Sequence, residues 1–359
     1  MYLRKEEIKL VHLEITSKCN LLCPQCARTS RGRLNPELPI ADLQWGPSLD
    51  EMFSESFSRQ LDGVYFCGNF GDPAAASTLP VFVENLLSRG VSHIAVYSNG
   101  SLKSPEWWYE LGESLKGRGR LIFSVDGLSD TNHIYRVNSS WPRIEANMKA
   151  AIASGVDTRW EYIVFAHNEH QVQQAENLAR EMGFREFNLK ATSRFYRSLL
   201  GQTVDRRDLQ APQKEELKSA SLLSLEEIKS KFGSFERYAK QTPIRCKTKH
   251  IQRSVYIDFV GDLWPCCWLG APAYFHEDEI QKRELASLVQ GYDSGFNSLL
   301  QHSFDEILNH RFFVEDLERS WKCSASDRMF TCGRTCGSEF EFTSFPGYGN
   351  NRLVRFSCE

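Results

Sequence analysis

Apolar and polar positions along the first half of this 359-residue chain follow two alternating rhythms. Short runs rich in β-branched and aromatic residues read as strands bounded by turn residues: "VHLEIT" (11–16), "GVYFC" (63–67), "HIAVYS" (93–98), "LIFSVD" (121–126), "EYIVFA" (161–166) and "EFNLKA" (186–191). Between them, apolar residues recur at helical spacing in "LDEMFSESFSRQL", "TLPVFVENLLSRG", "SPEWWYELGESLK", "WPRIEANMKAAIASG" and "EHQVQQAENLAREMG". Several of these close on glycine, the favoured residue just past a helix C-terminus. Ser104 and Pro105 supply an N-cap and an N1 proline. The alternation predicts an α/β protein with a parallel sheet. Six strand–helix units within residues 1–191 predict a partial (β/α)6 TIM-like barrel whose active face lies at the C-terminal strand ends.

From 192 to 243 the chain turns polar and charged, which reads as a linker carrying one or two amphipathic helices. Beyond 244 the strand–helix rhythm stops and cysteines return, so a second, small domain is expected over 244–359. Within it "HSFDEILNHRFFVEDLERSW" (302–321) has helical periodicity and is expected to pack this domain against the barrel.

Composition narrows the function classes. Apolar residues make up 41% and charged residues 25%, with a net charge of -3. That is ordinary globular composition without the basic footprint of a nucleic-acid binder. No stretch has the uninterrupted apolar core of a signal peptide or the roughly 18 apolar residues of a membrane span. The expectation is a cytoplasmic protein that contacts neither nucleic acid nor membrane. Eleven cysteines, an odd number, then point to metal ligands or catalytic groups more than to disulfides. His167 and His170 in "AHNEH" read as a polar helix start rather than a metal pair, and neither a P-loop nor a G-x-S-x-G elbow is present.

Cys19, Cys23 and Cys26, in "CNLLCPQC", directly follow the first strand. Thiolates are soft ligands suited to zinc and iron–sulfur clusters. A structural zinc site normally closes with four protein ligands. Three thiolates instead leave one iron of a [4Fe-4S] cubane open to a small chelating molecule. This C-x3-C-x2-C loop after a first strand resembles the radical S-adenosylmethionine (radical SAM) superfamily. The resemblance implies that SAM binds the open iron and is cleaved by one electron, from a donor such as flavodoxin or ferredoxin. The resulting 5′-deoxyadenosyl radical then abstracts hydrogen from a substrate, the cofactors carrying the chemistry while the protein positions them.

Other segments resemble the same family. "CGNFGDP" (67–73) is similar to its Gly-Gly-Glu-Pro segment, which implies that Phe70, Gly71, Asp72 and Pro73 lie near the methionyl amine of SAM. "YSNG" is similar to its Thr-Asn-Gly turn, at Ser98 and Asn99. In "FSVDG", Ser124 and Asp126 stand where the family contacts the SAM ribose and carboxylate. Gln25 occupies a position that is usually aromatic and close to the adenine.

Cys246, Gly261, Cys266, Cys323, Cys332, Cys336 and Cys358 resemble the cysteine pattern of the SPASM domain, a C-terminal module with auxiliary iron–sulfur clusters, except that Ser326 replaces one cysteine. The resemblance implies one or two such clusters, as in SPASM or the shortened "twitch" variant. The first would take Cys246, Cys266 and Cys336, and the second Cys323, Cys332 and Cys358. Cys67 reads as a core thiol. Cys267 takes the slot of a catalytic Asp in sulfatase-maturing relatives. It is a candidate catalytic group facing the barrel, a further ligand, or simple packing beside Trp264 and Trp268.

The implied activity is radical modification of a peptide or protein, of the kind made on ribosomal precursors. Strand one begins by residue 11, so the peptide-recognition domain that opens many such relatives has no room, and a separate recognition protein or a substrate needing none is expected. Two alternatives stand beside it: a radical SAM dehydrogenase or rearrangement enzyme acting on a small molecule such as an aminosugar, and a zinc-binding interaction protein.

Overall fold

A computed structural model describes residues 1–24, 26–30, 33–190, 209–218, 225–275, 279–322, 328–339 and 351–356. Its strands form a mostly parallel, open sheet with helices between them. The chain divides into two compact units: Met1–Lys18, Asn35–Ile94 and Glu227–Phe340 in the first, Cys19–Leu34, Ala95–Glu226 and Glu341–Glu359 in the second.

The six strands expected from the sequence are present as β1 (Leu10–Leu13), β2 (Gly63–Phe66), β3 (Ile94–Ser98), β4 (Gly119–Ser124), β5 (Asp157–Ile163) and β6 (Glu186–Lys190). Three more follow: β7 (Ser254–Ile257), β8 (Leu263–Trp264) and β9 (Asn351–Arg355). In the first unit the order is β8-β7-β1-β2, with β1 parallel to both β2 and β7 and β8 antiparallel to β7. In the second it is β3-β4-β5-β6-β9, with β9 antiparallel to β6. The strand rhythm therefore does not stop at 244. The segment after that residue lays β7 beside β1, which is why the compact units do not follow the boundaries at 191 and 244.

Parallel strands covered on both faces are apolar throughout rather than alternating. Leu121, Ile122 and Phe123 of β4 are all buried, as are Trp160 and Tyr162 of β5. The helix Leu79–Ser88 buries Leu79, Phe82, Val83, Leu86 and Leu87, a single stripe at helical spacing. Burying each such side chain contributes about 1.5–3 kcal/mol. Ser104 caps the helix Pro105–Leu115 and Gly183, at φ 96°, ends Val172–Met182.

Two predicted helices differ. The run 49–61 is two helices, Pro47–Met52 and Glu55–Gln60, because Ser54 accepts a hydrogen bond from the Phe57 amide and so starts a new one. The run 302–321 is a helix Phe304–Asn309 with a Ser303–Glu306 capping box, then a π-type turn Phe312–Asp316. Phe304 packs on Phe57 at 5.2 Å between ring centroids. The 192–243 segment contributes helices Leu225–Phe232 and Phe235–Gln241. Among the described residues no helix is long and apolar enough to cross a membrane.

Candidate functional site

Three thiol-bearing regions can be built up separately. In the second unit, Cys19, Cys23 and Cys26 come from the loop that follows β1 in sequence, and all three pack on one apolar cluster of Leu21, Tyr135, Phe165 and Leu209. The loop is tied by its own backbone: the Cys26 amide donates to Cys23 O at 3.1 Å, and Thr29 Oγ1 donates to the Cys23 and Cys26 carbonyls. The Leu21 amide donates to Cys19 Sγ at 3.4 Å, with Asn99 Nδ2 at 3.8 Å from the same sulfur.

Arg136 brings positive charge to this loop. Burial alone would depress its pKa, but the Asp126 carboxylate, 2.6 Å away, outweighs that together with Cys23 and holds the guanidinium charged. Asp126 is itself fully buried, and its second oxygen accepts from the Ile163 amide at 2.7 Å. Both of its oxygens are thus committed within the protein. Ser98 Oγ accepts from the Gly100 amide, and Asn99 Oδ1 accepts from Ser101, which gives the "YSNG" turn its shape. Ser124 is half-buried at the end of β4. Gln25 lies outside the described residues.

In the first unit, the buried carboxylate of Glu14 holds the backbone of Phe70 and Gly71 at the start of the Phe70–Gly71–Asp72–Pro73 segment. Glu14 Oε1 accepts from the Phe70 and Gly71 amides at 2.6 and 3.1 Å, while Oε2 accepts from Tyr256 OH at 2.5 Å. Burial raises the Glu14 pKa, and these donors pull it back. A Cβ on Gly71 would stand 1.9 Å from Thr16 O, so glycine is required by the protein's own backbone. Asp72 caps the turn by accepting from the Ala74 amide at 3.0 Å. Phe70 is buried edge-on to Phe259 and Tyr274, and Tyr274 OH donates to the buried Asp258 at 2.8 Å.

Cys267 borders this network. Burial first, then the neighbouring Cys67 and Glu14, push its thiol up to about 12, so it is an un-ionised S–H at neutral pH. Cys67 sits just past β2 and is half-buried, and its carbonyl is 2.5 Å from His12 Nε2.

The third region also lies in the first unit. Cys246, Cys266, Cys332 and Cys336 line one cavity. Cys266 lines this cavity and Cys267 does not. None of these cysteines is in a disulfide. Cys323, Ser326 and Cys358 lie outside the described residues.

Among the described residues no three His, Cys, Asp or Glu side chains close around a single ion. A cubane caps each iron with a separate thiolate, so its ligands stand further apart than those of one ion. Both thiol sets, soft, buried or half-buried against apolar side chains and supplied with N–H donors, fit such a cluster. His167 and His170 flank the start of a helix, His167 stacked on Phe165 and His170 exposed.

Glu14, Arg136, Tyr256 and Asp258 were not singled out in the sequence. Glu14, a charge set between the apolar residues Leu13 and Ile15, was the local signal available.

No family model matches the chain. It is 25% identical over 291 residues to the PqqA peptide cyclase of Xanthomonas campestris pv. campestris (strain 8004), covering 77% of this chain and 72% of that protein. Its fold matches native anSMEcpe with bound AdoMet at a TM-score of 0.51, with 12% identity and 93% of each chain covered. Streptococcus suis SuiB bound to S-adenosylmethionine aligns at a TM-score of 0.49 and 15% identity over 73% of this chain, which spans 61% of SuiB. The chain is thus similar in sequence to a peptide cyclase and in fold to an AdoMet-binding protein, and both likenesses extend over most of its length.

Proposed function

We propose that this protein is a radical SAM enzyme that modifies a peptide or protein substrate. The observation that carries the reading is the loop Cys19–Cys23–Cys26, which brings three thiols onto one buried apolar patch. The peptide cyclase to which the chain is similar over 77% of its length supports a peptide substrate.

When bound, a [4Fe-4S] cluster with SAM on its open iron supplies an electron and a hydrogen-abstracting radical. Cys19, Cys23 and Cys26 would hold that cluster. The Leu21 and Asn99 N–H groups and the Arg136 guanidinium stabilise negative charge on the sulfurs. Tyr135, Phe165 and Leu209 exclude water beside them. Separately, Glu14 fixes the Phe70–Gly71 backbone, and Cys267 presents a neutral thiol able to give a hydrogen atom. A flavodoxin or ferredoxin would deliver the electron, a separate recognition protein would present the peptide, and the cytoplasm is the expected compartment.

The test is anaerobic turnover. Reconstituted protein with a chemical reductant and SAM is expected to form 5′-deoxyadenosine and to change the mass of a candidate peptide. The Cys19→Ala, Cys23→Ala, Cys26→Ala triple variant is expected to form none, and an undiminished yield from it would overturn the assignment.

A further inference from the structure

The fourth thiol of the cavity changes how the auxiliary cysteines are shared out. We infer that Cys246, Cys266, Cys332 and Cys336 hold one auxiliary iron–sulfur cluster between them, with Cys332 as its fourth ligand. The family pattern gives Cys332 instead to a second cluster with Cys323 and Cys358.

Local structure is the reason. Cys332 and Cys336 lie four residues apart on the helix Phe330–Cys336, and residues at i and i+4 share one face. Here both thiols line the same cavity, together with Cys246 and Cys266. Gly333 sets the helix in place, since a Cβ there would stand 1.9 Å from Ala239 O of the helix Phe235–Gln241. Cys246 is pinned alongside: the Arg245 amide donates to Cys336 O at 2.9 Å, and Ile244 bridges to Gly337. Cys266 enters just after β8, at the start of the helix Cys267–Gly270.

The surroundings suit a cluster. The Lys247 amide donates to Cys336 Sγ at 3.4 Å, and Thr248 Oγ1 lies 3.1 Å from Cys246 Sγ. Ile244, Leu269, Leu317 and Trp321 form apolar walls. Four thiolates would cap all four irons of a bound cubane and so leave no vacancy for a substrate. The identity of the metal rests on the radical SAM reading; the gathering of four thiols does not.

The experiment uses the full-length Cys19→Ala, Cys23→Ala, Cys26→Ala chain, so that remaining iron reports this site alone. Reconstituted anaerobically, it is expected to hold about four irons and four sulfides. Adding Cys323→Ser and Cys358→Ser is expected to leave iron content and the electron paramagnetic resonance of the reduced cluster unchanged. Adding Cys332→Ser is expected to lower the iron or shift that signal. Four irons lost with the Cys323/Cys358 pair, no change with Cys332→Ser, or zinc bound without sulfide would each overturn the inference.

Thiol alkylation read by mass spectrometry guards against misfolding, because it keeps all four cavity thiols. Cys246, Cys266, Cys332 and Cys336 are expected to gain label together when iron is chelated. Equal labelling of Cys332 before and after chelation would overturn the inference.

Discussion

Cys19, Cys23 and Cys26 are supplied by one short loop, whereas Cys246, Cys266, Cys332 and Cys336 are gathered from three segments far apart in sequence. The loop thiols are spaced by local backbone turns, and the apolar cluster and the buried ion pair beside them receive the loop as a unit. The cavity thiols exist as a set only once the helix Phe330–Cys336 is seated and Cys246 is fastened to its end. A loop site can lose its chemistry while the fold survives; a site made from tertiary contacts ties its chemistry to stability.

That contrast breaks first at Cys23. Cys23→Ala is expected to abolish 5′-deoxyadenosine formation while leaving the urea midpoint within about 0.5 M of the parent, and a large loss of stability would erase the distinction. Next is Asp126→Asn, which strands the buried Arg136 guanidinium. Removing one partner of such a pair costs about 3–5 kcal/mol, measurable by urea denaturation. The double variant Asp126→Asn, Arg136→Met is expected to recover most of it.

In the first unit, Glu14→Leu leaves the Phe70 and Gly71 amides without their acceptor. Each buried unsatisfied donor costs about 1–3 kcal/mol, and a variant as stable as the parent would show that water replaces the carboxylate. The smallest effect sharpens the same region through pH. Burial lowers His12 from 6.5 to about 4, so below pH 6.5 the unfolded chain takes up a proton that the folded chain refuses. Stability is therefore lost as pH falls from 6.5 toward about 4. At one unit below the unfolded value this amounts to about 1.4 kcal/mol. The slope of urea midpoint against pH is expected to flatten in His12→Phe.

The six strands of the first half were legible because apolar runs at buried parallel strands carry their own signal, as "LIFSVD" does. β7 and β8 were not: "SVYI" and "LW" are short and follow a polar stretch, and only pairing with β1 makes them strands. That Cys19, Cys23 and Cys26 come together was legible in their close spacing after the first strand. That Cys332 shares a cavity with Cys246, Cys266 and Cys336 was not legible, since the spacing is the same whichever way the helix faces. Gly71 illustrates a different limit. A glycine in a ligand-like segment suggests close approach to a ligand, yet here the atom that forbids a Cβ is a carbonyl of the protein itself.

The antiparallel strand Asn351–Arg355 has a consequence for self-association. Without it, the peptide groups of Glu186–Lys190 would form an open sheet edge, a template on which another chain can pair. β9 covers that edge and brings arginines to the new margin, one of them, Arg355, anchored to Glu186 at 3.2 Å. A strand that carries charged side chains is a poorer template than the bare edge it covers, because pairing there would bury those charges.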